Sequence, residues 1–449
     1  MSEVAGAVDG VLVGDDVEVR SVATDSREVV TGALFVALPG NRVDGHGFVG
    51  QSLELGAAGV LVQDGSEADA PTVRVHSTHE ALLRLAAYER RRRADLTVVA
   101  VTGANGKTTT KDMAGVVCAT AHRTHVSPGS FNNEVGLPRT LLDAPDDVAV
   151  VVAEMGARRR GDVALLCEIA RPDIVVVTNV GVAHLEIFGS WEAIVEASAE
   201  PVDWLDDDGL AILNADDPVV RAYASRCRGK VVTFGLSPEA QVRAEAVALG
   251  RDGLASFDLV HEGDRERIGL TVPGDHMVPN ALAAAAIGLQ LGVPFAACAS
   301  ALAHATVSRW RMESFTTPDG VRVVNDAYNA NPESMAAALR TTRWMAGDGR
   351  LIAVLGAMAE LGPASAEEHE RVGELAARIR VDRLIAVGPA ARSIAVSAVR
   401  EGIEPDDVMS YDDIEDVVAD VRAHAMSGDV VLCKASRVVG LERVAEALR

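Results

Sequence analysis

Residues 103–110 read Gly-Ala-Asn-Gly-Lys-Thr-Thr-Thr and concentrate more usable chemistry than any other stretch of the chain. Gly103 and Gly106 let backbone N–H groups approach an anion, Lys107 supplies a point charge, and the Thr108 hydroxyl can hold a magnesium ion. The apolar-leaning residues 96–101 before them read as a buried strand, and 107–110 open a helix whose N-terminus points back at the glycines. The result is a phosphate cradle. The general Walker pattern places one more glycine five positions before Gly106, where this chain has Val101, so the generic match is incomplete. A strand-glycine-helix turn that serves only packing is the competing reading.

Further candidates follow from position. Open parallel sheets bind ligands beyond the C-terminal ends of their strands. Glu154 follows an apolar run at 149–153, and His184 follows one ending near 180, so both can share a crevice with the cradle. A carboxylate and an imidazole beside Thr108 make a magnesium shell, although magnesium prefers oxygen throughout. Residues 127–133 form a turn-rich loop ending in Asn132 and Asn133, which can grip amide-like groups of a substrate or cap a helix opening at Gly136. Residues 325–332, Asn-Asp-Ala-Tyr-Asn-Ala-Asn-Pro, lie between a strand and a helix and are too polar for a core, which favours binding. Two polar clusters, Thr24-Asp25-Ser26-Arg27 and Asp44-Gly45-His46-Gly47, flank an early strand and suit either turns or a ligand cradle.

The elements that position these residues divide the chain into three. Strands at 34–38, 60–62 and 72–75 with helices at 48–56 and 78–92 predict a small α/β unit over 1–93. From 94 to 308, strands at 149–153, 174–178, 210–213 and 231–235 alternate with helices from 161 and 190, which predicts a mostly parallel sheet covered on both faces. Period-two alternation between about 240 and 272, with an Asp252-Gly253 turn, predicts an inserted hairpin, and a helix over 278–291 follows. Over 309–449, strands at 321–325, 351–356, 383–388 and 429–433, each followed by a helix, predict a doubly wound sheet of Rossmann type. The fold class is α/β throughout.

The 449 residues carry a formal charge of −23, which argues against nucleic acid or an anionic membrane as partner. The basic run 90–93 closes a helix, where cations are favoured, and reads as solvated. Five cysteines without metal-ligand spacing read as buried thiols of a reducing compartment. No charged-then-apolar leader opens the sequence, and the longest apolar run, 281–291, is too short to span a bilayer. These features lead us to expect a soluble, cytoplasmic protein.

In order and over nearly the whole chain, TGANGKTTTKD, PGSFNNEVGLP, EMGA, NVGVAHLEIFGS, NADDP, GDHMVPNALAAAA, SRWRME, NDAYNANPESM, GAMAELG and KASRVVGLE resemble the Mur ligase family of peptidoglycan synthesis. The 24–27 and 44–48 stretches look like its N-terminal domain. The resemblance implies ATP-dependent amide formation with magnesium. A monomer is expected. Gly103, Asn105, Gly106, Lys107, Thr108 and Thr109 would hold the phosphates, with Lys107, Glu154 and His184 as the catalytic set. Thr108, Glu154 and His184 would organise the metal. His276 and Asn280 would face the base, while Arg309 and Asp326 would close onto the triphosphate and ribose. Asn132 and Asn133 would lie along the acceptor. Thr24, Asp25, Ser26, Arg27, Asp44, Gly45 and His46 would bind a UDP-muramoyl tripeptide, and Tyr328, Asn329 and Asn331 an incoming D-Ala-D-Ala. The latter pairing is implied by Asn329 to Pro332, since the diaminopimelate-adding branch carries Asp-Asn-Pro-Arg there. One departure stands out: family members carry a lysine, used as its carbamate, where this chain has Ser198 in Glu196-Ala197-Ser198-Ala199-Glu200. A recruited ligase of a specialised pathway is therefore the alternative.

Overall fold

The structure, a computed structural model, describes residues 1–40, 43–66, 69–181 and 185–449. Three sheets of five, nine and six strands organise these residues. Contacts gather them into two compact units: Met1–Ala100, His122–Ala157 and Gly161–Ile174 in one, and Val101–Ala121, Arg158–Arg160 and Val175–Arg449 in the other.

The five-stranded sheet runs Val11–Val13, Thr72–Val75, Gly59–Gln63, Ala33–Val36, Ser21–Ala23, parallel except at its first pair. Ala33–Val36 is apolar at every position because both faces are covered. Leu34 and Val36 pack with Val4, Val8 and Leu85, whereas Phe35 faces Val60, Val49 and Leu53. The helix Thr78–Arg92 is capped by Ser77, whose hydroxyl accepts the Glu80 N–H at 3.3 Å. Its basic end is solvated only in part: Arg91 and Arg92 are exposed as expected, whereas Arg90 and Arg93 are tied to backbone carbonyls. Arg90 is buried and donates to the carbonyls of Ala170 and Arg171 and to Asp173 at 2.9, 3.1 and 3.2 Å. Arg93 donates to the carbonyls of Ala144 and Pro145 at 3.0 and 2.6 Å. The guanidinium fork suits such fixed multi-acceptor roles.

The nine-stranded sheet has the order Asp264–Pro273, Leu254–His261, Val242–Leu249, Lys230–Gly235, Leu210–Asn214, Ile174–Val177, Thr97–Thr102, Val150–Glu154, Thr124–Val126. Its first three strands form an antiparallel meander where the alternation predicts a single hairpin. The extra turn is Glu262-Gly263, with φ of 48° and 97°, a left-handed pair that joins His261 to Asp264 in the manner of a tight primed turn. The tip of the meander meets the third sheet's first helix, Pro332–Ala346: the Trp344 indole N–H donates to Gly250 O at 2.9 Å, and a Cβ on Gly253 would lie 2.5 Å from Met345 Cγ.

The six-stranded sheet runs Glu313–Thr316, Arg322–Asn325, Val430–Lys434, Leu351–Gly356, Arg383–Val387, Val408–Tyr411, parallel after its first pair. The C-terminal ends of three neighbouring strands thus present loops 326–331, 435–440 and 357–364 side by side. Below them, Arg383 and Asp420 are both buried and paired twice, at 2.8 and 2.7 Å, and the Tyr411 hydroxyl adds a bond at 2.9 Å. Burial alone would raise the Asp420 carboxyl, but the bonds from Arg383 and Tyr411 hold it below its ordinary value of 3.8. Its stabilising contribution is therefore complete above that value and is lost as pH falls through the lower folded one. Asp420→Ala, which strands a buried guanidinium, is expected to cost about 3–5 kcal/mol in urea unfolding at neutral pH. Among the described residues no helix is long and apolar enough to cross a membrane.

Candidate functional site

The glycines of the phosphate loop are fixed by backbone and space together. Gly103 and Gly106 adopt φ of 130° and 81°, and a Cβ at either would fall within contact radii of Thr178 Oγ1 or Asn280 Oδ1. The loop rests on the end of the neighbouring strand. Asn105 N donates to Asn179 Oδ1 at 2.8 Å, Asn179 Nδ2 returns to Asn105 O at 3.1 Å, and Thr178 Oγ1 lies 2.6 Å from Asn105 O. The Lys107 ammonium folds onto Gly103 O and Ala104 O at 2.7 and 3.2 Å, at the mouth of the loop. Thr108 and Thr109 are buried in the first turn of the helix Lys107–Cys118.

The third sheet reaches this loop through a residue that the sequence did not single out. Arg311 donates to Thr108 Oγ1 at 2.7 Å, and its guanidinium lies 4.2 Å from the centre of the Tyr328 ring. Arg309, expected at the triphosphate, instead points to an exposed face and bonds Glu446 at 3.2 Å. The two arginines stand two apart, and extended-chain alternation would place both on one side. Left-handed backbone at Trp310, φ 62°, breaks that alternation, and no spacing rule foretells it; Met312, φ 54°, is left-handed as well. Such conformations cost non-glycine residues about 1–3 kcal/mol each.

Around the nucleotide candidates, Asn280 fills the space that Gly106 leaves, with Oδ1 3.3 Å from Thr110 Oγ1. His276 precedes the helix Met277–Gln290, and its Nδ1 is buried without a hydrogen-bond partner. Burial pushes His276 below the usual histidine value, against the pull of Asp326 and Asp275, so it stays neutral at physiological pH. Asp326 Oδ2 lies 2.5 Å from the buried Lys434 ammonium, which also donates to Asn329 O at 3.0 Å. Asp326 Oδ1 accepts the Met312 N–H at 3.0 Å. Asn331 caps the helix Pro332–Ala346 in a capping box with Ser334, and its Nδ2 reaches Asn105 Oδ1 at 2.7 Å. Its side chain is thus shared between the helix start and the phosphate loop, whereas the sequence suggested a dipeptide contact.

In the other unit, Glu154 ends its strand almost fully buried, and its Oε1 accepts Asn132 Nδ2 at 2.7 Å. Asn133 takes the capping role: its Oδ1 accepts the N–H groups of Val135 and Gly136 at 3.2 and 2.9 Å. Of the two amides, only Asn133 is the cap, and Asn132 is turned to Glu154. Thr24 Oγ1 accepts Arg139 Nη1 at 2.9 Å, and Arg139 also bonds Glu28 and Asp143. Asp25 caps the turn Ser26–Glu28, and hydrogen bonds from Arg27 bring its carboxyl down to about 2. Ser26 Oγ lies 3.2 Å from Gln51 Oε1. Asp44 caps Gly45–Phe48 and bonds His46 Nδ1 at 2.7 Å, while His46 Nε2 accepts the Gln63 N–H at 3.0 Å, which assigns the ring proton to Nδ1. Gly45 presses on the Leu38 backbone, where a Cβ would stand 2.7 Å from Leu38 N and O.

His184 lies outside the described residues. Among those described, no group of three or more His, Cys, Asp or Glu gathers as a metal site. Thr108 and Glu154 each offer the hard oxygen donors that suit magnesium. Ser198 lies on the helix Trp191–Trp204, where the hydroxyl of the buried Tyr223 donates to Val195 O at 2.6 Å. Glu196 is engaged by Arg226 at 3.0 Å, at an exposed position.

Comparison with known proteins completes the picture. Residues 101–288 match the Mur ligase middle domain, 310–437 the Mur ligase glutamate ligase domain, and 18–90 the catalytic domain of the Mur ligase family. The UDP-N-acetylmuramoyl-tripeptide--D-alanyl-D-alanine ligase of Mycobacterium tuberculosis (strain H37Rv) is 39% identical over 99% of this chain and 96% of its own length. A crystal structure of MurF from Acinetobacter baumannii superposes with a TM-score of 0.89 at 28% identity, covering 100% of this chain and 98% of that one. MurF ligase from Thermotoga maritima in complex with ADP gives a TM-score of 0.83 at 30% identity over 97% and 98%. From the phosphate loop to the end-to-end match, the residues and the fold agree: the chain belongs to the Mur ligase family.

Proposed function

We propose that this protein joins D-alanyl-D-alanine to a UDP-N-acetylmuramoyl tripeptide, consuming ATP and releasing ADP and phosphate through an acyl-phosphate intermediate. The observation that carries the reading is the likeness, at 39% identity and over almost the full length of both chains, to a ligase named for that reaction. A carboxylate cannot expel oxide. Its oxygen must first take the γ-phosphoryl group, and the amine then attacks the acyl carbon and expels phosphate, giving up its proton. Magnesium would neutralise phosphate charge, with Thr108, Glu154 and His184 to hold it. Lys107 and the N–H groups at the start of its helix bind and orient the phosphates. Arg311, already beside Thr108, brings a second fixed cation to the same loop. Asn132 orients the Glu154 carboxylate. Thr24–Arg27 and Asp44–His46 serve the uridine end of the acceptor, and Tyr328 and Asn329 the dipeptide.

In this reading the domains are 1–93 for the UDP substrate, 94–308 for ATP and 309–449 for ligation, and the protein works as a cytoplasmic monomer on small molecules, without nucleic acid or membrane. Incubation with the UDP-tripeptide, D-Ala-D-Ala and magnesium ATP, followed by phosphate release and product mass, tests it. ATP hydrolysis that needs both acceptor and amine is expected. Hydrolysis that needs neither would overturn the reading, and the same assay with other amines would reveal the recruited alternative, which the relatives' names do not favour.

Ser198 adds a prediction of its own. Because the chain has no lysine at this position to carry a carbamate, its activity is expected not to respond to removal of bicarbonate. With Glu196 engaged by Arg226, Glu196→Gln is expected to leave kcat near wild type, while Glu200→Gln lowers it more than about tenfold, a loss partly relieved by high magnesium. Wild-type rates in both variants would exclude a substitute carboxylate on this helix.

A further inference from the structure

We propose that Trp310 is a positioning residue for Arg311: its indole locks the linker in the one backbone path that aims the Arg311 guanidinium at Thr108. The proposal rests on the reading of Thr108 as part of the nucleotide site.

Without the left-handed turn at Trp310, which stands between them, Arg309 and Arg311 would project to the same side of the linker. With it, Arg309 turns outward and Arg311 inward. Such a path persists only where its surroundings over-determine it, and around Trp310 they do. The indole carries two guanidiniums, Arg437 at 4.3 Å and Arg309 at 5.5 Å from its ring centre. Its N–H donates to Glu446 at 3.3 Å, the carboxylate that also takes Arg309. Its backbone is held at both ends: N–H to Glu313 Oε2 at 3.3 Å, and carbonyl from the Tyr328 N–H at 3.2 Å.

Tyr328 links the two halves of the device. Its backbone N–H fixes the Trp310 carbonyl, and its ring carries the Arg311 guanidinium. One residue further on, the Met312 N–H is held by Asp326. Arg437 belongs to the turn Arg437–Val439, which follows the strand Val430–Lys434, so the clamp on the indole comes from the loops at the strand ends. An indole that merely shielded the Arg437–Glu442 pair would support stability, and its removal would act independently of Arg311.

A double-mutant cycle separates the cases. Trp310→Ala, Arg311→Ala and the double variant would be compared for kcat, for KM of each substrate, and for magnesium-ADP affinity by calorimetry, with thermal melts as a check on folding. Trp310→Ala is expected to lower kcat by about tenfold and to leave the KM for D-Ala-D-Ala unchanged, since a misaimed cation is lost chiefly from the transition state. In the Arg311→Ala background the same change is expected to cost nothing more. Trp310→Phe, which keeps a ring against the guanidiniums, should restore most of the rate. Multiplied losses in the double variant, or a fully active Trp310→Ala, would overturn the proposal. If Trp310→Ala does not fold, Arg437→Ala removes the nearer half of the clamp and must show the same non-additivity with Arg311→Ala. A wild type that binds ADP but forms no product would refute the substrate reading alone, and the cycle is then read in ADP affinity. A wild type that binds no nucleotide would overturn both.

Discussion

Lys107→Ala is expected to lower kcat by about a thousandfold while leaving the melting temperature within a few degrees of wild type. The side chain contributes little to the fold. Its ammonium bonds the loop's own carbonyls, Gly103 O and Ala104 O, and the helix it opens is held by buried Thr109, Thr110, Met113 and Val117. In the proposed reaction its contribution lies in the charge it would present where phosphate oxygens gather negative charge as the phosphoryl group transfers, beside the N–H dipoles of the helix start. Single-turnover phosphate release and circular-dichroism melts would check both halves. Turnover above a tenth of wild type would show that the helix N-terminus and Arg311 suffice without it.

Glu154→Gln is expected to lower kcat by about a hundredfold and to raise the magnesium concentration needed for half-maximal rate. The change preserves shape, and an amide oxygen can still accept the 2.7 Å bond from Asn132 Nδ2, so packing is not the cause of the loss. What disappears is a buried negative charge at the end of a strand, and such a charge is retained in a fold only where a cation or hydrogen bonds offset it. Asn132→Ala serves as the companion variant. It removes the orienting bond and keeps the charge, so its loss should be smaller and insensitive to added magnesium. A magnesium titration that superposes for wild type and Glu154→Gln would remove Glu154 from the metal.

The phosphate loop was legible because its constraints are local: only glycine tolerates the left-handed backbone and crowded space at 103 and 106, and the lysine and threonine follow at fixed spacing. The parallel sheets were legible for a similar reason, since strands buried on both faces read as unbroken apolar runs such as 150–153 and Leu351–Gly356. Roles decided by distant partners were not. Nothing in Ser-Arg-Trp-Arg distinguishes Arg309 from Arg311 until Tyr328 and Arg437 are in place. Asn132 and Asn133 are chemically identical neighbours, and only the start of the following helix decides which is the cap. Arg90 read as a solvated helix end because its acceptors, Ala170 and Arg171, lie eighty residues away. The second turn of the meander escaped because Glu262 is unusual in left-handed backbone, where Asn or Gly announces a turn.

The contact between the meander tip and the helix Pro332–Ala346 limits how the ligation part can move. The six-stranded sheet leaves the rest of its unit through the linker at 308–312, and it is touched again at Trp344 and Met345 by Gly250 and Gly253. Two further bonds, Arg311 to Thr108 and Asn331 to Asn105, hold its strand-end loops to the phosphate loop. If these open while the linker and the meander tip hold, the sheet swings about the line that joins those two, like a door on an upper and a lower hinge. The strand-end loops that carry Asp326, Asn329 and Lys434 would then sweep along one arc, and every substrate that enters between them and the phosphate loop would meet the same angular opening.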